Sequence, residues 1–129
     1  MADVSELKQK PCEKVLKDAQ SFLEPYYSNE NLVANLQAYI PSKIPLCDII
    51  DTLISNQDII DATAHIIHEM TEATESKKLH GGIIRGPFKG EVPFIDHEYF
   101  EKIYPIVHKK ASEVEASFLR KYGRRLEHE

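Results

Sequence analysis

The stretch DIIDATAHIIHEMTEATESKK, Asp58 to Lys78, is the longest uninterrupted helical reading in the chain. Ile59, Thr63, Ile66, Ile67, Met70, Ala73 and Thr74 recur at steps of three and four, so the spacing places them on one helix face. Asp58, Asp61, His65, His68, Glu69 and Glu72 fall on the opposite face. Within that face Asp61, His65, His68 and Glu72 follow at i, i+4, i+7 and i+11, a single narrow stripe. No other part of the chain gathers so many metal-ligating or proton-carrying side chains.

Upstream, Pro45 opens a helix whose apolar positions are Leu46, Ile49, Ile50, Leu53 and Ile54. Ser55, three residues before Asp58, resembles a capping box with Asp in the Glu/Gln position, and the chain is expected to break there. Before Pro45, two more amphipathic helices are expected. One starts at Pro11, buries Cys12, Val15, Leu16, Ala19, Phe22, Leu23 and Tyr26, and ends near Glu24 ahead of Pro25. The other is capped by Ser28 or Asn29, buries Leu32, Val33, Leu36, Tyr39 and Ile40, and stops at Pro41.

Downstream, Lys77 and Lys78 suit the negative end of the central helix and Gly81 suits its C-cap. Residues 81–95 then break the helical rhythm. They hold four of the five glycines, together with Pro87 and Pro93. The segment reads either as a short β-hairpin, Ile83-Ile84 against Val92 to Ile95, or as a packed Gly/Pro-rich loop. Asp96 is expected to cap a last helical region running to Tyr122. Pro105 should kink or break that region near Tyr104, and Gly123 should end it. The fold class is therefore all-α: a compact bundle of about five helices in one domain over residues 1–125, with an insertion at 81–95. Residues 126–129, LEHE, begin like a vector-encoded linker and are set aside.

The longest apolar runs are a few residues, too short to span a membrane. Asp3, Glu6 and Lys8 stand where a signal peptide needs an apolar stretch. Two cysteines are too few for a disulfide framework, so Cys12 and Cys47 read as buried structural thiols in a cytoplasmic protein. The net charge of −5 divides unevenly: residues 1–76 carry 5 basic and 13 acidic side chains, residues 77–129 carry 11 and 8. The basic C-terminal run is diluted by Glu113 and Glu115, and nucleic acid is not an expected partner.

Three constellations bear on chemistry. The stripe of Asp61, His65, His68 and Glu72 offers nitrogen and carboxylate donors for zinc or another divalent metal. It lacks the His-Glu-x-x-His and Glu-x-x-His patterns. Helical sites draw ligands from two helices, which leaves His80, His97 and His108 as further candidates. Without a metal, the same residues form a solvated polar face with Asp61–His65 and His68–Glu72 pairs. Arg85 and Lys89 around Phe88 make a second constellation, an anion- or partner-binding loop that lacks the P-loop pattern. The third is an apolar helix face left over after packing, with the charge asymmetry beside it. The leading expectation is a non-enzymatic protein-interaction or regulatory module without a cofactor, which binds another protein or itself as a homodimer. The alternative, in a different class, is a metal-binding protein or metal-dependent enzyme using the stripe.

Overall fold

The computed structural model describes residues 10–40, 44–80, 88–89, 92–93 and 99–126, and for 80, 88–89, 92–93 and 99–100 it describes the backbone alone. Five α-helices follow in order: α1 (Pro11–Leu23), α2 (Leu32–Tyr39), α3 (Leu46–Asn56), α4 (Ile59–His80) and α5 (Tyr104–Arg120). The fold is all-α, as the periodicity predicts. None of the described helices is long and apolar enough to cross a membrane.

The prolines act as the sequence implies. Pro11 and Pro105 sit in the first turns of α1 and α5, where a missing N–H costs nothing. The break near Tyr104 takes a specific form. A five-residue π-helical turn, Tyr99–Ile103, runs directly into α5 and changes helix type just ahead of the proline. At the other end Gly123 adopts φ +71°, and Arg124 N–H reaches back to Leu119 O at 3.0 Å while Gly123 N–H reaches Arg120 O at 3.1 Å. This left-handed termination reverses the chain and carries Arg124 toward the start of α4.

Two caps differ from expectation. Asn31, rather than Ser28 or Asn29, caps α2: its Oδ1 accepts from Ala34 N–H at 3.1 Å. The delay arises because Tyr26, Tyr27 and Glu30 are taken up in hydrogen-bonded turns that continue from α1. The α3–α4 break falls where expected, but Asp58 makes the cap, accepting Asp61 N–H at 2.9 Å. Ser55 Oγ turns back to Thr52 O instead.

The helix α4 is the hub, packed against α1, α2, α3, α5 and the π-helical turn. Its expected apolar face is buried, with Thr63, Ile66, Ile67, Met70, Ala73 and Thr74 at 0–3% exposure. Burial extends further round the helix, however, to Ala62, Ala64, His68, Thr71, Glu72 and Ser76. The two cysteines are also corrected. Cys12 in the first turn of α1 and Cys47 in the first turn of α3 form a disulfide, with Cα atoms 5.4 Å apart. Both were read rightly as facing the core, and they face each other there.

Within the insertion, Phe88–Lys89 pairs antiparallel with Val92–Pro93. Ile83, Ile84 and Arg85 lie outside the described residues, as do Asp96 and His97. Leu126, set aside as tail, is 7% exposed and belongs to the main core cluster.

Candidate metal centre

The histidine stripe divides along its length. At its N-terminal end Asp61 and His65 line an open cleft of ≈ 650 Å³ with Asp58, Glu115, Arg124 and Arg125. Arg124 bridges both aspartates, at 2.8 Å from each Asp58 oxygen and 3.0 Å from Asp61 Oδ1. His65 is exposed, and its Nε2 lies 3.9 Å from Glu69 Oε1. The expected Asp61–His65 pair is replaced by these contacts, because the reversal at Gly123 delivers a guanidinium to Asp61.

The other half of the stripe is not solvated. His68 and Glu72 are 7% and 2% exposed, covered by α5, which runs antiparallel across them. This overturns the reading of a solvated face at these two positions. Seven residues apart on one face of α5, His108 and Glu115 meet them in register, 115 beside 68 and 108 beside 72. His68 Nε2–H donates to Glu72 Oε2 at 2.8 Å. His108 Nδ1–H donates to the same oxygen, also at 2.8 Å. The remaining oxygen, Oε1, accepts from the Tyr39 hydroxyl of α2 at 2.9 Å. Thus three helices converge on one buried carboxylate.

Two further groups frame the cluster. Glu115 Oε1 lies 2.8 Å from His68 Nδ1, but off the line along which that nitrogen's N–H would donate, so the contact is one of charge. Tyr104 stacks on the His108 ring with centroids 5.3 Å apart, and its hydroxyl oxygen sits 3.3 Å from His108 Nδ1. The His68 and His108 rings meet edge to face at 4.9 Å.

Electrostatics explains why the cluster holds together away from water. Burial alone would push the His68 imidazole down, yet Glu115 and Glu72 on its two nitrogens outweigh that and hold it at about 10. Burial likewise would raise the Glu72 carboxyl, but the donors from His68, His108 and Tyr39 bring it below its ordinary value. The His68 imidazolium is therefore held between Glu72 on one ring nitrogen and Glu115 on the other.

His68, Glu72 and His108 are also the one described trio of such side chains whose ligand atoms all lie within 4.8 Å of one another. A tetrahedral zinc with bonds of about 2.0–2.1 Å spaces its donors about 3.3 Å apart, so the two 2.8 Å contacts to Glu72 Oε2 would open by about half an ångström, and the two imidazole nitrogens, within 4.8 Å of one another, would settle to the same spacing. The donor set is two imidazoles and a carboxylate. Glu115 stands behind the first imidazole and Tyr39 behind the carboxylate, the outer partners that fix ring orientation and carboxylate geometry in metal sites. Asp61 and His65 are not part of this trio. His108 is one of the expected second-helix candidates, whereas the sequence marks Tyr39, Tyr104 and Glu115 only as a core position, a helix break and a surface charge, not as site residues. Of the loop constellation, Phe88 and Lys89 lie in the two-residue strand, with only their backbone described.

No protein-family model matches this chain, and no curated protein or solved structure matches it.

Proposed function

We propose that this protein binds a divalent transition metal between α4 and α5 through His68 Nε2, Glu72 Oε2 and His108 Nδ1. The observation that supports this reading is the convergence of two imidazole nitrogens, from different helices, on a single oxygen of a carboxylate that is 2% exposed. A divalent cation there would release one proton from the His68 imidazolium, leave His108 neutral with its proton on Nε2, and set two positive charges against the Glu72 and Glu115 carboxylates. Two nitrogens and one oxygen suit zinc, and iron or cobalt by the same chemistry, better than calcium or magnesium. The test is thermal unfolding of metal-free protein with and without added zinc. Zinc should raise the melting temperature of the wild type by mass action on the native state and leave Glu72→Gln unmoved. Equal shifts in both proteins would refute the site.

A second reading, a protein-interaction module that self-associates, is favoured by one patch. Phe22 of the α1 end meets Phe118 of α5 edge-on at 5.2 Å, with Tyr26 tilted against Phe22 and Tyr122 tilted against Phe118. Tyr26 and Tyr122 remain 45% and 50% exposed. Aromatic clusters of this kind anchor interfaces. A homodimer in sedimentation that dissociates in Tyr26→Ser/Tyr122→Ser would support it, and a monomeric wild type would refute it. The cytoplasmic setting belongs to this proposal too, and in a reducing compartment Cys12 and Cys47 would be thiols.

A further inference from the structure

The helix α3 is held to the bundle by little besides its disulfide. Of its 11 residues Leu46 and Ile50 are buried, while Cys47, Leu53 and Ile54 pack partly buried against the core. Its polar side chains bond back to α3 itself: the Thr52 hydroxyl donates to Asp48 O, and Ser55 Oγ and Asn56 Nδ2 donate to Thr52 O. Among the described residues no side-chain hydrogen bond or ion pair joins α3 to another element. The cluster around Glu72 is built by α2, α4 and α5, and none of its members comes from α3. Those three helices, with α1, keep their own packing on α4 whether or not α3 is docked.

The position of the cross-link favours exchange. Cys12 and Cys47 are each the second residue of their helix. The positive end of each helix dipole favours a thiolate there, and a more stable leaving thiolate is displaced faster. Cys12 is 1% exposed, whereas Cys47 is half-buried, so an incoming thiolate reaches the Cys47 sulfur.

We propose that the Cys12–Cys47 bond is a reversible redox switch for α3: a dithiol reductant opens it, and α3 is released from α1 and α4 while the other helices and the Glu72 cluster stay folded. The reductant's thiolate attacks Cys47 Sγ, and the sulfur–sulfur bond breaks with Cys12 leaving as a thiolate. The reductant's second thiol then displaces Cys47 from the mixed disulfide. The protein gains two electrons and two protons, and the reductant is oxidised to its own disulfide. Release uncovers Leu46, Ile50 and the parts of α1 and α4 beneath them, an apolar surface that the oxidised protein keeps covered. The switch is independent of the metal reading.

Amide hydrogen exchange resolved by helix tests this on the full chain, as oxidised wild type, as wild type held in dithiothreitol, and as Cys12→Ser/Cys47→Ser. The expected result is exchange over residues 46–56 faster by on the order of tenfold or more in the reduced protein and in the serine variant. Protection over 59–80 and 104–120 should be unchanged, and reoxidation of the wild type should restore protection to α3. Equal protection of α3 in the oxidised and reduced proteins would overturn the switch. Loss of protection across all the helices together would also overturn it, by making the bond a staple of the whole fold. Thiols that stay free under an oxidant would overturn it as well.

Discussion

His68 on α4 and His108 on α5 direct one ring nitrogen each to the same oxygen, Glu72 Oε2, at 2.8 Å from both. Two helices separated by the 81–95 insertion are thereby tied through one buried atom. The carboxylate is held from its other side by Tyr39, so α2 is drawn into the same point.

The Tyr39 hydroxyl donates to a buried carboxylate, and Tyr39→Phe removes that donor while preserving the ring. A hydrogen bond to a charged group contributes about 1.5–3 kcal/mol, and Tyr39→Phe should lower the unfolding free energy by that amount. Urea denaturation of the metal-free proteins measures it, and a difference well under 1 kcal/mol would mean that Glu72 is satisfied without Tyr39.

His68 is the cation between two carboxylates. His68→Leu fills the volume but leaves Glu72 and Glu115 facing one another's charge, and removing one partner of a buried pair costs about 3–5 kcal/mol. Replacing Asp61 or His65, which face the cleft, should change stability far less. Chemical denaturation of the three variants side by side checks the order.

Stability of the metal-free protein should also depend on pH in a defined direction. The His68 imidazole stands at 6.5 unperturbed and at about 10 in the fold. The folded state binds its proton more tightly, so the gain is complete below pH 6.5 and is lost as pH rises through about 10. Unfolding measured between those limits should show stability falling more steeply in the wild type than in His68→Leu, and parallel curves would exclude His68 as the source. For the same reason a metal must expel this proton, so zinc affinity should rise with pH over the same window.

How much of this was legible in the residues varies by element. The five helices were, because Val15, Leu36, Ile50, Ile67 and Val107 fall on periodic apolar faces and prolines or Gly123 mark the ends. The stripe was legible as a set of donors, but not its division. Asp61 is claimed by Arg124, which a left-handed glycine delivers from 63 positions away. His68 and Glu72 are covered because α5 packs along α4, a tertiary contact that the polar stripe itself does not announce. Glu115 looked like dilution of a basic run. The signal that it faces inward is its seven-residue spacing from His108, which places both on one helix face. The disulfide was hidden because Cys12 and Cys47 are 35 residues apart, and spacing alone does not pair them.

That disulfide closes a loop of the same length across α1, α2 and α3. In the chain-entropy account such a closure stabilises the fold by about 3–4 kcal/mol. Reductant should therefore lower the melting temperature of the wild type and leave Cys12→Ser/Cys47→Ser unaffected. A wild type indifferent to reductant would show that the bond does not form in solution.

The central claim is tested most directly by metal stoichiometry. Metal-free wild type, His65→Ala and His108→Ala are dialysed against zinc and then analysed for bound metal. The account predicts one zinc per chain in the wild type and in His65→Ala, and its loss in His108→Ala. Zinc absent from the wild type, or retained in His108→Ala and lost in His65→Ala, would contradict it.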